Sequence, residues 1–216
     1  MKYKAVVYDL DGTLLDTLKD LQGSTNAALR AFGMPERTLE EVRSVVGNGV
    51  RRLMVLSVPD GDENPLFEEV FAEFKRHYAI HCNDTTVPYP GIFDLIDELN
   101  EMGVRQAIVS NKAQFAVDEL NRLYFAGRID VAIGENAGIR KKPAPDTVLE
   151  SARRLGVDIK DCLYVGDSEV DIRTAENCGI DCACVTWGFR TVEELRRNGA
   201  VMLCDSPEDI LRLVRE

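Results

Sequence analysis

No apolar run in this sequence approaches the roughly 20 residues that a membrane-spanning helix requires. The segment Met1-Lys2-Tyr3-Lys4 leads into a short apolar stretch ending at Tyr8, too short for the core of a secretory signal. The expectation is a soluble, cytoplasmic chain with no membrane partner. Positive charge is also in short supply. Against 26 Lys and Arg stand 37 Asp and Glu, a net charge of −11, which argues against the basic stripe of a nucleic-acid binder. Histidine is nearly absent: His77 and His81 are spaced i,i+4 but lack the Glu of a zinc-protease helix. The six cysteines (Cys82, Cys162, Cys178, Cys182, Cys184, Cys204) contain no Cys-x2-Cys pair. They read as reduced thiols in the core or at the surface rather than as metal ligands or disulfides. Internal repeats and low-complexity tracts are missing too.

What is present begins with enough apolar residues, 45% of 216, to bury a substantial core. Three short apolar runs recur, each followed at once by a polar cluster. Lys4-Ala5-Val6-Val7-Tyr8 leads into Asp9, Gln106-Ala107-Ile108-Val109 into Ser110-Asn111-Lys112, and Cys162-Leu163-Tyr164-Val165 into Gly166-Asp167-Ser168. Runs without polar alternation suit strands buried on both faces of a parallel sheet. Further strand candidates are 129–133, 182–186 and 201–203. Helical patterns lie between them, at 90–102 and 146–155, with capped starts at Thr191 and Ser206. The fold expected is α/β, a Rossmann-like open parallel sheet flanked by helices.

Residues 16–83 break that rhythm with helical patterns and no convincing strand. Leu18, Leu21, Thr25, Ala28, Leu29 and Phe32 share one face, Thr38-Leu39-Glu40-Glu41 opens a second helix, and Pro65 opens a third. The organisation expected is a core of residues 1–15 and 84–216 carrying a small all-helical insertion, 16–83. Within it, Gly47-Asn48-Gly49 lacks the third glycine and the preceding strand of a dinucleotide fingerprint.

In open α/β sheets ligands collect at the carboxyl ends of the strands. That rule places Asp9, Asp11, Ser110, Asn111, Asp167 and Asp171 around one crevice. So many carboxylates in one place call for a hard divalent cation with oxygen ligands, such as Mg2+.

These residues carry a resemblance. Asp9-Leu10-Asp11-Gly12-Thr13 resembles the first motif of the haloacid dehalogenase superfamily, whose members are mostly phosphatases. Ser110 resembles its second motif, Lys142 of Lys142-Pro143-Ala144-Pro145 its third, and Gly166-Asp167-Ser168-Glu169-Val170-Asp171 its acidic fourth. The resemblance implies that Asp9 is a nucleophile forming an aspartyl-phosphate, and that Asp11 is a general acid and then base. It implies Mg2+ held by Asp9, Asp167 and the Asp11 backbone carbonyl. Phosphate oxygens would rest on Ser110, Lys142 and the chain around Gly12, Thr13 and Asn111. Asp171 would support either the metal or Lys142.

The helical insertion resembles the small cap of the superfamily's first cap class. Asn48, Gly49, Arg51 and Arg52, a glycine-rich turn followed by two cations, are its candidates for reading the substrate, since an arginine fork suits a carboxylate. With Thr86-Val87-Pro88-Tyr89-Pro90-Gly91 and Ser110-Asn111-Lys112, the stretch resembles the bacterial phosphoglycolate phosphatase family. The partner implied is a small phosphorylated metabolite, 2-phosphoglycolate first, acted on by a monomer or homodimer. Alternatives are a phosphatase for another small phosphate or pyrophosphate, a phosphotransferase resembling β-phosphoglucomutase, and a non-catalytic binding protein.

Overall fold

The computed structural model describes every residue from Met1 to Glu216. Its strands are β1 (Ala5–Tyr8), β2 (Leu15–Asp16), β3 (Val87–Pro88), β4 (Arg105–Ala113), β5 (Val131–Glu135), β6 (Cys162–Gly166), β7 (Asp181–Val185) and β8 (Met202–Cys204). Six of them form one parallel sheet in the order β5-β4-β1-β6-β7-β8, the open α/β arrangement expected from the sequence. β2 and β3 pair separately as a two-stranded ribbon.

The chain divides into two compact units, Met1–Leu15 with Pro88–Glu216, and Asp16–Val87. The second is helical: α1 (Leu18–Ala31), α2 (Leu39–Val45), α3 (Val50–Ser57) and α4 (Phe67–His81). Thr38 caps α2 in a reciprocal box with Glu41, satisfying two otherwise orphaned amides. Phe67, Phe71, Phe74 and Tyr78 run along one face of α4 in successive ring contacts of 6.0, 6.4 and 5.3 Å. α3 begins at Val50, directly after the Gly47-Asn48-Gly49 turn, so Arg51 and Arg52 are helical.

In the sheet unit, α5 (Ile92–Glu101), α6 (Gln114–Tyr124), α7 (Asp146–Leu155), α8 (Glu169–Cys178), α9 (Val192–Arg197) and α10 (Pro207–Arg215) flank the strands. The strand period of two sorts side chains onto two cores. Val6, Tyr8, Ile108, Leu163 and Val165 meet α5, α6 and α10 on one face. Ala5, Val7, Ala107, Val109, Cys162 and Tyr164 meet α7 on the other. β5 lies two residues later than the apolar pattern suggested, because Ile129 fills the first core from the approach to the strand. No helix is long and apolar enough to cross a membrane. All six cysteines are free thiols, four of them buried.

Candidate active site

Strand register builds the site. Tyr8 pairs with Ile108 on one side and Val165 on the other, so Asp9 is level with Val109 and Gly166, one residue short of Ser110 and Asp167. β4 does not stop at Val109. It continues to Ala113 with a register shift between Val109 and Ala113, an irregularity of the kind that re-aims side chains beside active sites. Ser110, Asn111 and Lys112 lie within that stretch and are all buried. The Ser110 hydroxyl accepts the Lys112 backbone N–H at 3.2 Å.

Asp9, Asp167 and Asp171 are buried, and each offers an oxygen within 4.8 Å of the others. The Lys142 ammonium sits between two of them, 2.8 Å from Asp9 Oδ1 and 2.8 Å from Asp171 Oδ1. It also contacts the Tyr164 hydroxyl at 3.0 Å, and that hydroxyl donates to Asp171 Oδ1 at 2.9 Å. Asp171 Oδ2 accepts the Ser168 hydroxyl at 2.6 Å and the backbone N–H groups of Ser168 and Asp167 at 3.1 and 3.2 Å. Both oxygens of Asp171 are therefore committed to donors, one of them the Lys142 ammonium. Lys141 is half-exposed and pairs with Glu135 at 3.7 Å, so of the adjacent lysines only Lys142 is in the site.

Asp167 accepts the Phe189 N–H on Oδ2 at 2.7 Å and the Thr13 hydroxyl on Oδ1 at 3.3 Å. Gly12 has φ +85, and a Cβ there would lie 2.4 Å from Asp167 Oδ2, so the turn after β1 needs a residue with no side chain. Asp11 Oδ1 meets the Lys112 ammonium at 2.7 Å, with the lysine buried and Asp11 half-buried. The Asn111 amide donates to the Lys142 carbonyl at 3.1 Å, tying the β4 end to the lysine loop.

Electrostatics mark the cluster as short of positive charge. Burial raises Asp9 well above the usual carboxylate range, and the attraction of Lys142 falls short of that effect while Asp171 and Asp167 add to it. Asp167 is pushed up to about 7, by burial first and then by Asp171. Asp171 moves the other way: burial opposes its charge, but Lys142 and the Ser168 and Tyr164 hydrogen bonds outweigh burial. Lys142 is likewise raised, since Asp171 and Asp9 outweigh its own desolvation. Asp9 and Asp167, two buried carboxyls held above the usual range, offer oxygens suited to a hard divalent cation, whose charge would let them ionise.

Three contributors escaped the sequence reading. Lys112 was visible only as a neighbour of Ser110, with no role. Tyr164 lay inside an apolar run, where nothing distinguishes a functional hydroxyl from core filling. Trp187, which lies outside every motif, donates its indole N–H to the Thr13 carbonyl at 3.1 Å. Asn48, Gly49, Arg51 and Arg52 belong to the helical unit. Gly49, at φ +85, caps α3. Arg51 pairs with Glu68 and lies over the Phe67 and Phe71 rings at 5.0 and 5.3 Å, while Arg52 is exposed on the first turn of the same helix.

A haloacid dehalogenase-like hydrolase family model matches residues 6–185, and the chain belongs to that family. Among curated relatives, the N-acetylmuramic acid 6-phosphate phosphatase of Pseudomonas aeruginosa is 32% identical over 98% of this chain and 94% of its own length. The phosphoglycolate phosphatase of Xylella fastidiosa is 33% identical over 88% of this chain and 83% of its own. A crystal structure of a phosphoglycolate phosphatase candidate from Lactobacillus delbrueckii subsp. bulgaricus superposes with a TM-score of 0.94 at 38% identity, covering 99% of both chains. This chain is accordingly an enzyme, a phosphatase of the haloacid dehalogenase-like family.

Proposed function

We propose that the protein is a Mg2+-dependent phosphomonoesterase working through an aspartyl-phosphate on Asp9. The observation that carries this reading is the Lys142 ammonium on Asp9 Oδ1, beside a second buried carboxylate at Asp167. Asp9 and Asp167 would hold the metal by side chains and Asp11 by its backbone carbonyl. When bound, Mg2+ would supply the charge that lets the carboxylates ionise and would stabilise the transferring phosphoryl group.

The protein's own groups account for the rest. Asp9 attacks phosphorus, and the bond to the leaving oxygen breaks while Asp11 gives that oxygen a proton. Asp11 then takes a proton from the water that cleaves the aspartyl-phosphate, restoring both residues. Lys112 holds the Asp11 carboxyl in place. Ser110, the amides around Gly12, Thr13 and Asn111, and Lys142 receive the phosphoryl oxygens, a reaction that depends mainly on positioning and charge.

The substrate proposed first is 2-phosphoglycolate. The relatives support it, and the two activities they are named for share a feature: each substrate is a phosphomonoester that also bears a carboxylate. N-Acetylmuramic acid 6-phosphate is the second candidate, favoured by the relative whose match spans nearly both whole chains. We further propose that the helical unit is a cap that reads the leaving group.

A panel of 2-phosphoglycolate, N-acetylmuramic acid 6-phosphate, pyrophosphate and glucose phosphates tests the assignment. Phosphate release that needs Mg2+ and disappears in Asp9→Asn is expected. Release from no panel member would sink it, and isomerisation of a glucose phosphate without net release would point to a phosphotransferase.

A further inference from the structure

A fourth strand-end segment, Thr186–Arg190 after β7, is stitched into the site although none of its residues belongs to the sequence motifs. Thr186 anchors it to the β8 end, donating its N–H to the Cys204 carbonyl at 3.0 Å and its hydroxyl to Asp205 Oδ1 at 2.7 Å. Trp187 reaches the Thr13 carbonyl. Gly188 passes so close to the metal-site turn that a Cβ would lie 2.3 Å from Asp167 Cβ and 2.5 Å from the Gly12 carbonyl oxygen. Phe189 donates its N–H to Asp167 Oδ2. The segment ends in Arg190, only 7% exposed, whose fork meets Glu169 with Nε to Oε2 at 2.8 Å and Nη2 to Oε1 at 3.3 Å.

Glu169 opens α8, two residues after Asp167, so the Arg190–Glu169 pair closes a short circuit. It runs from Asp167 through the start of α8 to Glu169, across to Arg190, and back through Phe189 to Asp167 Oδ2. A two-point arginine–carboxylate pair fixes direction as well as distance, which a single contact does not. Loss of either member would remove the two-point hold on the end of the segment, next to the Phe189 N–H that meets Asp167, with Arg190 buried and Glu169 half-buried.

We propose that the Arg190–Glu169 pair is a latch that holds the Thr186–Arg190 segment against Asp167 and so sets the protein's affinity for Mg2+. This rests on the Mg2+-dependent reading above. Neither residue touches the phosphoryl group, so both are positioning residues. Groups that orient a metal ligand from behind it typically change metal affinity by about 10–100-fold.

The test measures Mg2+ binding by isothermal titration calorimetry, and by the Mg2+-induced rise in Tm, on wild type, Arg190→Gln, Glu169→Gln, the double variant and Arg190→Lys. Weakening of Mg2+ binding by about 10-fold or more is expected in each Gln variant. The double variant should be no worse than the singles, because the latch is already open. Arg190→Lys should fall between, since an ammonium cannot reproduce the fork. At saturating Mg2+, kcat should be largely recovered. Should Arg190→Gln fail to fold, Glu169→Gln carries the same comparison. Mg2+ affinity unchanged in the folded variants, or effects that simply add in the double, would overturn the latch alone. Failure of wild type to bind Mg2+ would remove the metal reading and the latch together.

Discussion

Asp171 has no solvent exposure and accepts five hydrogen bonds, from the Lys142 ammonium, the Tyr164 and Ser168 hydroxyls and two backbone amides. An amide at this position keeps the shape but surrenders one acceptor and the charge facing Lys142. Asp171→Asn should therefore lower kcat by roughly 100-fold, the scale of a lost pre-organised electrostatic contact, with little change in KM; steady-state kinetics on 2-phosphoglycolate read this directly. Asp167 carries a different consequence. Its carboxyl titrates near 7 without metal, so between its ordinary value of about 4 and about 7 the folded state holds a proton that the unfolded chain has lost. Metal-free stability drawn from this group thus falls as pH rises through that window, and on our proposal Mg2+ would bind the ionised form and compete with the proton. The Mg2+-induced rise in Tm should be larger at about pH 8 than at about pH 6; an equal rise at both would contradict it. At this scale the sequence was informative where residues follow strand ends. Asp9, Ser110 and Asp167 stand out because a polar cluster breaks an apolar run. Tyr164 does not stand out, because only the direction of a side chain within the strand decides that its hydroxyl reaches Lys142.

Elements were legible in proportion to their periodicity. α5 and α7 show helical spacing of apolar residues closed by glycine, and their limits lie within two residues of the pattern. β5 and the end of β4 were harder. A strand carrying Ser-Asn-Lys past its register shift does not look apolar, because its neighbours there are the site rather than the core. α3 was hidden behind Gly47 and Gly49, whose positive φ values serve the entry to the helix rather than a free-standing turn. In the helical unit, Asp20 on α1 gathers the Thr85 and Thr86 backbone N–H groups and both hydroxyls at 2.6–3.1 Å, fastening the end of the unit to its first helix. Burial opposes its charge, but those hydrogen bonds prevail and hold its carboxyl below the usual range. Asp20→Ala should destabilise the protein by roughly 2–4 kcal/mol, since it removes the acceptor of the buried Thr86 N–H and hydroxyl and of the part-buried Thr85 donors at once. The sign of the pH effect follows from the lowered value. The contribution is complete above the unfolded-state value of about 4 and is lost as pH falls through the folded-state value. Denaturant titrations should show the gap between wild type and Asp20→Asn narrowing as pH is lowered from about 6 towards 3.

For the molecule as a whole, the sequence separates two kinds of question. On our proposal chemistry is concentrated in the sheet unit, where register brings Asp9, Ser110 and Asp167 together and the loop after β5 brings Lys142 to them, and that part is readable from motif order. Substrate choice, on our proposal, belongs to the helical unit, whose composition says helix but not which cation is available to a ligand. Arg51 and Arg52 are equivalent in the sequence and different in the structure. The Arg51 guanidinium is already engaged by Glu68 and by two aromatic faces, so capturing a substrate carboxylate would require exchanging an existing carboxylate partner for a new one. Exposed pairs of this kind are screened and contribute little to stability. Removing Arg51 should therefore alter the helix surface more than catalysis. If the helical unit reads a carboxylate through this helix, Arg52 is the better candidate. Arg52→Ala should raise KM for 2-phosphoglycolate several-fold while leaving KM for an uncharged aryl phosphate near its original value, the signature of a contact to the leaving group alone. Arg51→Ala should change both substrates little. Parallel KM shifts on the two substrates in Arg52→Ala would take the carboxylate-reading role away from this helix and leave the chemistry at Asp9 untouched.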